Sequence, residues 1–265
     1  MWGLLLLCCL LAAASGTQPP VTITVQTSAL ISTIPPNFVS FGWEMDGMIG
    51  LLPSLSDARF ALAASHLSPA IVRVGGITGD WVRYTEIPGQ SPSDALGYWP
   101  TAEGNLSMAS FQKLTSFLSA ANLTLLFMLN ELHGRDCNTT KPGTSQPDWC
   151  TGAWDTSNVR AFLQYLHDSG QVGGSNPTYA FELGNELRGH LYAENTTQDI
   201  AECAGIIQDI WGDVPAHSRP GLYAPSTDAC SDPEQLQIMA NITGVPGVAG
   251  FSFHGYPGGG GPGFK

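Results

Sequence analysis

The strongest constraint on the fold is a regular alternation of short apolar stretches and amphipathic stretches. The expected strands are Phe38–Trp43, Ala70–Val74, Leu123–Leu129, Tyr179–Leu183, Gly221–Ala224 and Val248–Phe253. The expected helices are Asp57–Leu67, Met108–Ala121, Ser157–His167, Thr197–Trp211 and Asp232–Ala240. Apolar strands separated by helices are typical of a parallel sheet that is covered on both faces.

This alternation gives six β units, whereas a complete (β/α)8 barrel needs eight. We therefore expect an α/β protein with an incomplete (β/α)8 TIM barrel over residues 18–265. The alternative is an open, doubly wound sheet. No strand is followed by the G-x-G-x-x-G pattern that would favour a dinucleotide-binding version of that fold.

The first 17 residues have the pattern of a secretory signal peptide. An apolar run, Leu4–Ala14, is followed by small residues, and it is too short for the roughly 20 residues that a membrane span needs. A buried N-terminal helix and an uncleaved anchor are the alternatives. No later stretch of the sequence is long enough to cross a bilayer, so the mature chain is expected to carry no transmembrane segment.

Sequons and cysteines also point to the secretory pathway. Five N-x-S/T sequons occur, at Asn105, Asn122, Asn138, Asn195 and Asn241. Once the signal peptide is removed, the remaining cysteines are Cys137, Cys150, Cys203 and Cys230. Of the three pairings that four cysteines allow, we favour Cys137–Cys150 with Cys203–Cys230. The expected location is extracellular, lysosomal or vacuolar, with membrane association as a further option.

Charge excludes one class of partner. The chain has a formal net charge of −12, and only 12% of its residues are charged. A chain this acidic is a poor candidate for binding nucleic acid or another polyanion over an extended surface.

Polar residues recur where the expected strands end, which is where active sites gather in barrels and open α/β sheets. They are Glu44, Asp46, Gly75, Gly76, Asp80, Asn130, Glu131, His133, Asn185, Glu186, His254 and Tyr256. Carboxylates, amides and aromatic rings suit a sugar ligand. No His/Cys cluster indicates a metal, and no cofactor is expected.

The most informative segment is Phe181-Glu182-Leu183-Gly184-Asn185-Glu186-Leu187. Strand periodicity places Glu182 and Glu186 on the same side. Glu186, at the strand end, can face a cleft and supply one of the two carboxylates that glycoside hydrolysis uses. Glu182 is expected inside the barrel, paired with a cation such as Arg73, because an unpaired buried carboxylate costs several kcal/mol.

This segment resembles the acid/base motif of clan A glycosidases, and specifically of glycoside hydrolase family 79, the heparanase-like β-glucuronidases. Residues 67–76, L-S-P-A-I-V-R-V-G-G, followed by Asp80, are similar to a second family segment. Residues 127–130, F-M-L-N, and 251–256, F-S-F-H-G-Y, resemble two further strands. The plant-type pattern, E-L-G-N-E-L-x-G, is the closer one. The motifs run in family order from about residue 37 to 258.

The resemblance implies a role for each matching residue. Glu186 would be the general acid/base and Asn185 would bind the sugar 2-hydroxyl. Glu44, which stands where the family usually has Asp, and Asp80 would line the glycone pocket. Asn130 would lie in the cleft, with His254 and Tyr256 near the reacting carboxylates. Ile77 replaces a usual Ser or Thr, and Glu131 replaces a small residue.

Truncation is the largest departure from the family pattern. No carboxylate follows Glu234 in the sequence. The family's nucleophile, its last two barrel units and its C-terminal β-sandwich are therefore expected to be missing. The chain as printed is expected not to hydrolyse substrate, because a retaining mechanism needs two carboxyl groups. We interpret it as a fragment or an incomplete gene product, or as half of a two-chain enzyme.

The implied substrate is a β-linked glucuronide in a glycan or proteoglycan. With only 10 Lys and Arg residues and no run of them, we expect a plant-type, arabinogalactan-like or small glucuronide rather than a sulfated polyanion. Another clan A activity (β-glucosidase, glucanase or arabinofuranosidase) stays open, as do a non-catalytic carbohydrate-binding remnant and an unrelated open-sheet protein. The sequence leaves the oligomeric state undetermined.

Overall fold

A computed structural model describes residues 32–88, 104–144, 149–172, 180–187, 190–227 and 232–255. The chain divides into two compact units, Met1–Pro35 and Pro36–Lys265. Only residues 32–35 of the first unit are described, and they contain no helix or strand. The expected signal peptide lies outside the described residues. Every element below belongs to the second unit.

The strands of the second unit fall into one large sheet and two small ones. In chain order they are β1 Phe41–Glu44, β2 Ile71–Gly75, β3 Arg83–Thr85, β4 Asn105–Ser107, β5 Thr124–Leu129, β6 Asp136–Thr139, β7 Trp149–Thr151, β8 Ala180–Leu183, β9 Gly221–Thr227 and β10 Val248–Phe253. The large sheet has the order β1-β2-β5-β8-β9-β10, and all its neighbours are parallel. Strands β3–β4 and β6–β7 form the small sheets.

Helices connect the strands of the large sheet. They are α1 Met45–Leu51, α2 Ala58–Ser65, α3 Met108–Ala120, α4 Ser157–Asp168, α5 Ala193–Ile210 and α6 Pro233–Ile242, with short 3-10 helices at Ser54–Ser56, Ile77–Trp81 and Ala216–Ser218. Sequential parallel strands with intervening helices are the first six units of a (β/α)8 arrangement. In the described part of the chain the sheet is open between β1 and β10. The expected α/β class and incomplete barrel are confirmed.

Aromatic side chains pack the helices onto the middle of the sheet. Tyr84 and Phe162 stack with ring centroids 4.0 Å apart, and Phe111 meets Phe127 edge-on at 5.2 Å. All four rings are buried, and such pairs add to the free energy gained by burying apolar area. This core fixes the strands whose carboxyl ends carry the polar residues discussed below.

A disulfide closes the small β6–β7 hairpin. Cys137 and Cys150 are bonded, as expected. The hairpin is attached to the loop after β8, because the Cys150 N–H donates to the His190 carbonyl oxygen at 2.9 Å. Leu187 and Leu191 of that loop pack against the two cysteines. The expected Cys203–Cys230 bridge is wrong, since Cys203, buried on α5, is a free thiol. Cys230 lies outside the described residues.

Of the sequon asparagines, Asn105, Asn122 and Asn241 are exposed and Asn195 is half-buried. The Asn138 side chain is outside the description. Within the described ranges, none of the helices has both the length and the apolar character needed to cross a membrane.

Candidate active site

Glu186 follows directly from the end of β8 and reaches the surface. Gly184 and Glu186 have φ angles of 68° and 54°, so the chain turns through the left-handed region twice within three residues. Glycine adopts this region without a penalty, whereas a glutamate does so only when its surroundings hold it there. The Glu186 side chain is 27% exposed, which leaves its carboxyl accessible to a ligand.

His254, just after β10, is hydrogen-bonded to the Glu186 carboxyl. The distance from His254 Nδ1 to Glu186 Oε1 is 2.5 Å, and Nε2 on the other side of the ring lies 3.1 Å from Ser226 Oγ. The His254 N–H also donates to the Thr227 carbonyl oxygen at 2.6 Å, which anchors the end of β10 to β9. The structure therefore brings together Glu186 and His254, which lie 68 residues apart in the sequence.

Arg73 on β2 joins three strand ends. Its Nε donates to Glu182 Oε2 at 2.6 Å, and its Nη2 donates to Asn185 Oδ1 at 2.9 Å and to Ser226 Oγ at 3.1 Å. The Glu182 side chain is only 2% exposed, so the predicted internal pairing of Glu182 with Arg73 is confirmed. Arg73, Asn185, Glu186, Ser226 and His254, together with Glu44, are called the strand-end cluster below.

Glu44 is the last residue of β1, and its carboxyl rests against Gly76. A Cβ atom at position 76 would lie 1.6 Å from Glu44 Oε2. Burial raises the pKa of Glu44, and the negative charges of Asp46 and Glu186 act in the same direction against Arg73 and His254. The negative charge of Glu186 therefore lies close enough to affect Glu44.

Asp80 and Asn130 are fully enclosed. Asn130 Nδ2 donates to the Val82 carbonyl oxygen at 2.5 Å, and its Oδ1 accepts no hydrogen bond from a described residue. Burial raises the pKa of Asp80 well above its usual range, although the Asn185 and Glu131 backbone N–H groups oppose the shift. No N–H among the described residues meets hydrogen-bond geometry with the Asp80 carboxyl oxygens. Contact of Asp80 and Asn130 with substrate stays a prediction.

Asn185 and Tyr256 were also predicted at the site, and their roles stay predictions. Asn185 is 6% exposed, and Arg73 holds its Oδ1. Tyr256 lies outside the described residues.

In the described part of the chain no group of three or more His, Cys, Asp or Glu side chains is placed to hold a metal ion.

Sequence reasoning missed Ser226. This residue is 0% exposed and has a φ of 51°, and its hydroxyl contacts both Arg73 and His254. A single serine in a short apolar strand gives no indication that its hydroxyl contacts an arginine and a histidine. The only indication was its place near the end of β9.

Glu131, which the sequence placed among the strand-end polar residues, has a buried acidic neighbour, Asp199, that the sequence did not predict. Glu131, after β5, lies close to Asp199 of α5, and Asp199 is paired with Arg135. Burial raises the pKa of both acids, and their mutual repulsion adds to the shift at Glu131. Glu131 also packs against the backbone of Gly184, where a Cβ atom would lie 2.3 Å from its Oε2.

A cavity of about 330 Å³ adjoins Arg135 and Asp199, and no residue of the strand-end cluster lines it.

The strand-end cluster can carry out acid/base chemistry. The accessible Glu186 carboxyl is hydrogen-bonded to an imidazole, the Glu44 carboxyl lies close enough to interact with it electrostatically, and the Arg73–Glu182 pair joins the strands that carry them. General acid/base catalysis requires such a positioned proton donor within reach of the reacting oxygen.

Comparison with known families identifies relatives. The sequence model described as "Glycosyl hydrolase family 79, N-terminal domain" matches residues 34–264. Heparanase-like protein 1 of Arabidopsis thaliana is 28% identical over 199 residues, which cover 71% of this chain and 34% of the relative. Heparanase-like protein 2 of the same plant is 26% identical over 200 residues, with the same coverage. The chain thus spans about a third of the length of these curated relatives.

Among solved structures, a 4-O-α-L-rhamnosyl-β-D-glucuronidase from Fusarium oxysporum aligns with a TM-score of 0.46 at 14% identity. The alignment covers 82% of this chain and 44% of the fungal enzyme. An intracellular xylanase from Thermoanaerobacterium saccharolyticum aligns with a TM-score of 0.44 at 15% identity, covering 87% and 68% of the two chains.

Proposed function

The chain belongs to glycoside hydrolase family 79, and from this premise we propose that it is the acid/base-bearing part of a retaining hydrolase of β-linked glucuronides. The observation that carries the proposal is the pairing of accessible Glu186 with His254 at 2.5 Å. In the proposed reaction Glu186 protonates the leaving oxygen and then, as a carboxylate, removes a proton from the attacking water.

The proposal leaves the nucleophile to a carboxylate that the printed sequence does not contain. A retaining mechanism places two carboxyls about 5–5.5 Å apart. Glu182 is bonded to Arg73 and Asp80 is enclosed. Glu44 sits against Gly76 at the first strand, where it suits binding of the sugar ring rather than attack on it.

A weakly charged glucuronide is the favoured substrate. Arg73 and Arg135 are committed to internal acids, and Arg59 and Arg160 pair with surface acids. Arg219 donates to the backbone carbonyls of Val214 and Gly212. Few cations in the described part therefore remain for sulfate groups, which argues for an arabinogalactan-like or small glucuronide over heparan sulfate.

We also propose that the protein passes through the secretory pathway. The Cys137–Cys150 disulfide supports this proposal, because such bonds persist in oxidising compartments. Exposed asparagines in three of the sequons are compatible with it as well. The destination is extracellular, lysosomal or vacuolar.

The test assays the chain, and any longer product that its transcript is found to encode, with 4-nitrophenyl β-D-glucuronide, the matching β-D-glucoside and an alkyl glucuronide. In whichever form turns over, Glu186→Gln should lower kcat/KM for the alkyl glucuronide by about 10²–10⁴-fold. The loss should be smaller for the 4-nitrophenyl glucuronide, because its nitrophenolate leaving group needs less protonation.

The matched control is Glu194→Gln, an exposed acid on α5 outside the strand-end cluster. Equal activity of the two variants would overturn the role of Glu186. Preference for the glucoside would favour another clan A glycosidase. Binding of glucuronides without hydrolysis by either form would favour the carbohydrate-binding alternative.

A further inference from the structure

The hydroxyl of Ser226 has a direction that its neighbours dictate. Arg73 Nη2 can only donate, so it occupies one lone pair of Ser226 Oγ at 3.1 Å. The other partner of Ser226 Oγ among the described residues is His254 Nε2, also at 3.1 Å. Ser226 is completely buried, so no bulk water can accept its proton.

The neutral imidazole has two proton arrangements, and they differ in free-energy cost. If Nε2 carried the imidazole proton, Ser226 Oγ would accept two hydrogen bonds and its own buried proton would have no acceptor. An unsatisfied buried donor is strongly unfavourable. If Ser226 instead donates to Nε2, every group is satisfied and the imidazole proton lies on Nδ1, facing Glu186 Oε1.

We propose that Ser226 is a positioning residue that holds His254 as the Nδ1–H tautomer, so that Glu186 exchanges its proton through Oε2. This inference rests on the proposed function of Glu186. Because Nδ1–H donates to Oε1, Oε1 acts as an acceptor whether Glu186 is ionised or neutral. The acidic proton of neutral Glu186 is therefore carried by Oε2.

This assignment determines the path of the proton in the two half-reactions. In the first, the proton leaves Oε2 for the glycosidic oxygen as the bond from that oxygen to the sugar breaks and the nucleophile bonds to the sugar. In the second, water attacks the same carbon, its proton passes to Oε2, and the bond to the nucleophile breaks. His254 keeps its Nδ1 proton throughout and ends in the state in which it began.

Nitrogen NMR of the imidazole tests the tautomer directly. The full chain, labelled with ¹⁵N in its histidine rings, is examined at about pH 8, where an ordinary imidazole is neutral. The His254 signals are assigned by their loss in His254→Asn. We expect the Nδ1–H tautomer in the unmodified protein, and a mixture, or the Nε2–H form, in Ser226→Ala.

Ser226→Gly is the second variant, because glycine accommodates the φ of 51° at this position without strain. It should change the tautomer as Ser226→Ala does, even if the alanine variant fails to fold. An Nε2–H tautomer in the unmodified protein, or an unchanged Nδ1–H tautomer in the glycine variant, would overturn the inference.

The NMR result does not depend on turnover, so it separates this inference from the proposed function. If neither the chain nor a longer product hydrolyses a glucuronide, the proposed function is wrong. The tautomer assignment is then still decided by the ¹⁵N spectrum alone. In a form that turns over, Ser226→Gly should lower kcat about tenfold with little change in KM, the equivalent of one hydrogen bond. A change in KM alone would contradict the positioning role.

Discussion

The backbone N–H of Glu186 donates to the carbonyl oxygen of Ser226 at 2.9 Å, and both residues have left-handed φ angles, 54° and 51°. Each conformation is unfavourable for a residue with a side chain, by about 1–3 kcal/mol. Here one hydrogen bond holds the two strained residues against each other at the ends of β8 and β9. The same pair of strand ends carries the Ser226–His254–Glu186 contacts, so backbone strain and side-chain placement are coupled.

Gly76→Ala should destabilise the protein and disturb Glu44. The new Cβ atom would lie 1.6 Å from Glu44 Oε2, and the φ of 92° is itself unfavourable for alanine. We expect a loss of about 2 kcal/mol or more in the free energy of unfolding, measured by urea denaturation. Gly50→Ala in α1 is the matched control, because its Cβ atom would meet nothing within 4 Å. It should stabilise by about 0.5–1 kcal/mol, and equal effects of the two changes would count against this account of Gly76.

Glu131→Gln should flatten the pH dependence of stability. Burial raises the pKa of Glu131 in the folded state, so its contribution to stability is full below the ordinary carboxyl range and is lost as pH rises through the raised value. The melting temperature of the unmodified protein should therefore fall from about pH 5 to pH 8. In Glu131→Gln the fall should be shallower, though not abolished, because burial also raises the pKa values of Asp80 and Asp199.

Differential scanning fluorimetry at constant ionic strength measures this slope. Exposed Glu194→Gln serves as the control and should retain the unmodified slope. An identical slope in the Glu131→Gln variant would show that Glu131 ionises as easily in the folded state as in the unfolded chain.

Arg73→Met should cost about 3 kcal/mol of unfolding free energy, because Glu182 would be left buried without its partner. The double variant Arg73→Met, Glu182→Leu should be more stable than Arg73→Met alone, since no uncompensated charge remains. Urea unfolding of the unmodified protein, both single variants and the double variant gives the coupling free energy. Additive effects would mean that the 2.6 Å contact between Arg73 and Glu182 contributes nothing specific.

Asn105 and Asn241 should carry N-linked glycans when the chain is expressed in a secreting eukaryotic host, because both side chains are exposed. Replacing either by Gln should remove one step in mass, measured by intact-protein mass spectrometry before and after treatment with peptide N-glycosidase. Asp213→Asn, which changes an exposed side chain without creating a sequon, should leave the pattern unchanged. A protein whose mass does not respond to deglycosylation would contradict the secretory assignment.

Much of the fold could be predicted because its strands are apolar and its helices have one apolar face. Val248–Phe253 was predicted to the residue, and Met108–Ala121 to within one. The short strands β3, β4, β6 and β7 could not be predicted, because none of them lies in a continuous apolar run of the sequence. Helix α1 follows β1 without an intervening turn, so its start carries no breaker signal.

The candidate site was predictable where residue type and strand position coincide, as at Glu186, Glu182 and Glu44. Ser226 was not, because its role depends on the contacts that tertiary structure creates with Arg73 and His254. The Glu131–Asp199 contact joins a loop to the middle of a helix, a relationship that neither local pattern contains.

The hairpin bridged by Cys137–Cys150 has a practical consequence for anyone producing this protein. It is fastened to the loop that begins one residue after Glu186, so thiol reductants in a buffer, or synthesis in a bacterial cytosol, would release that loop while leaving the aromatic core packed. Material prepared in that way would look well folded by circular dichroism although the loop beside Glu186 is no longer held, so a failure to bind a ligand could not be assigned to the native chain.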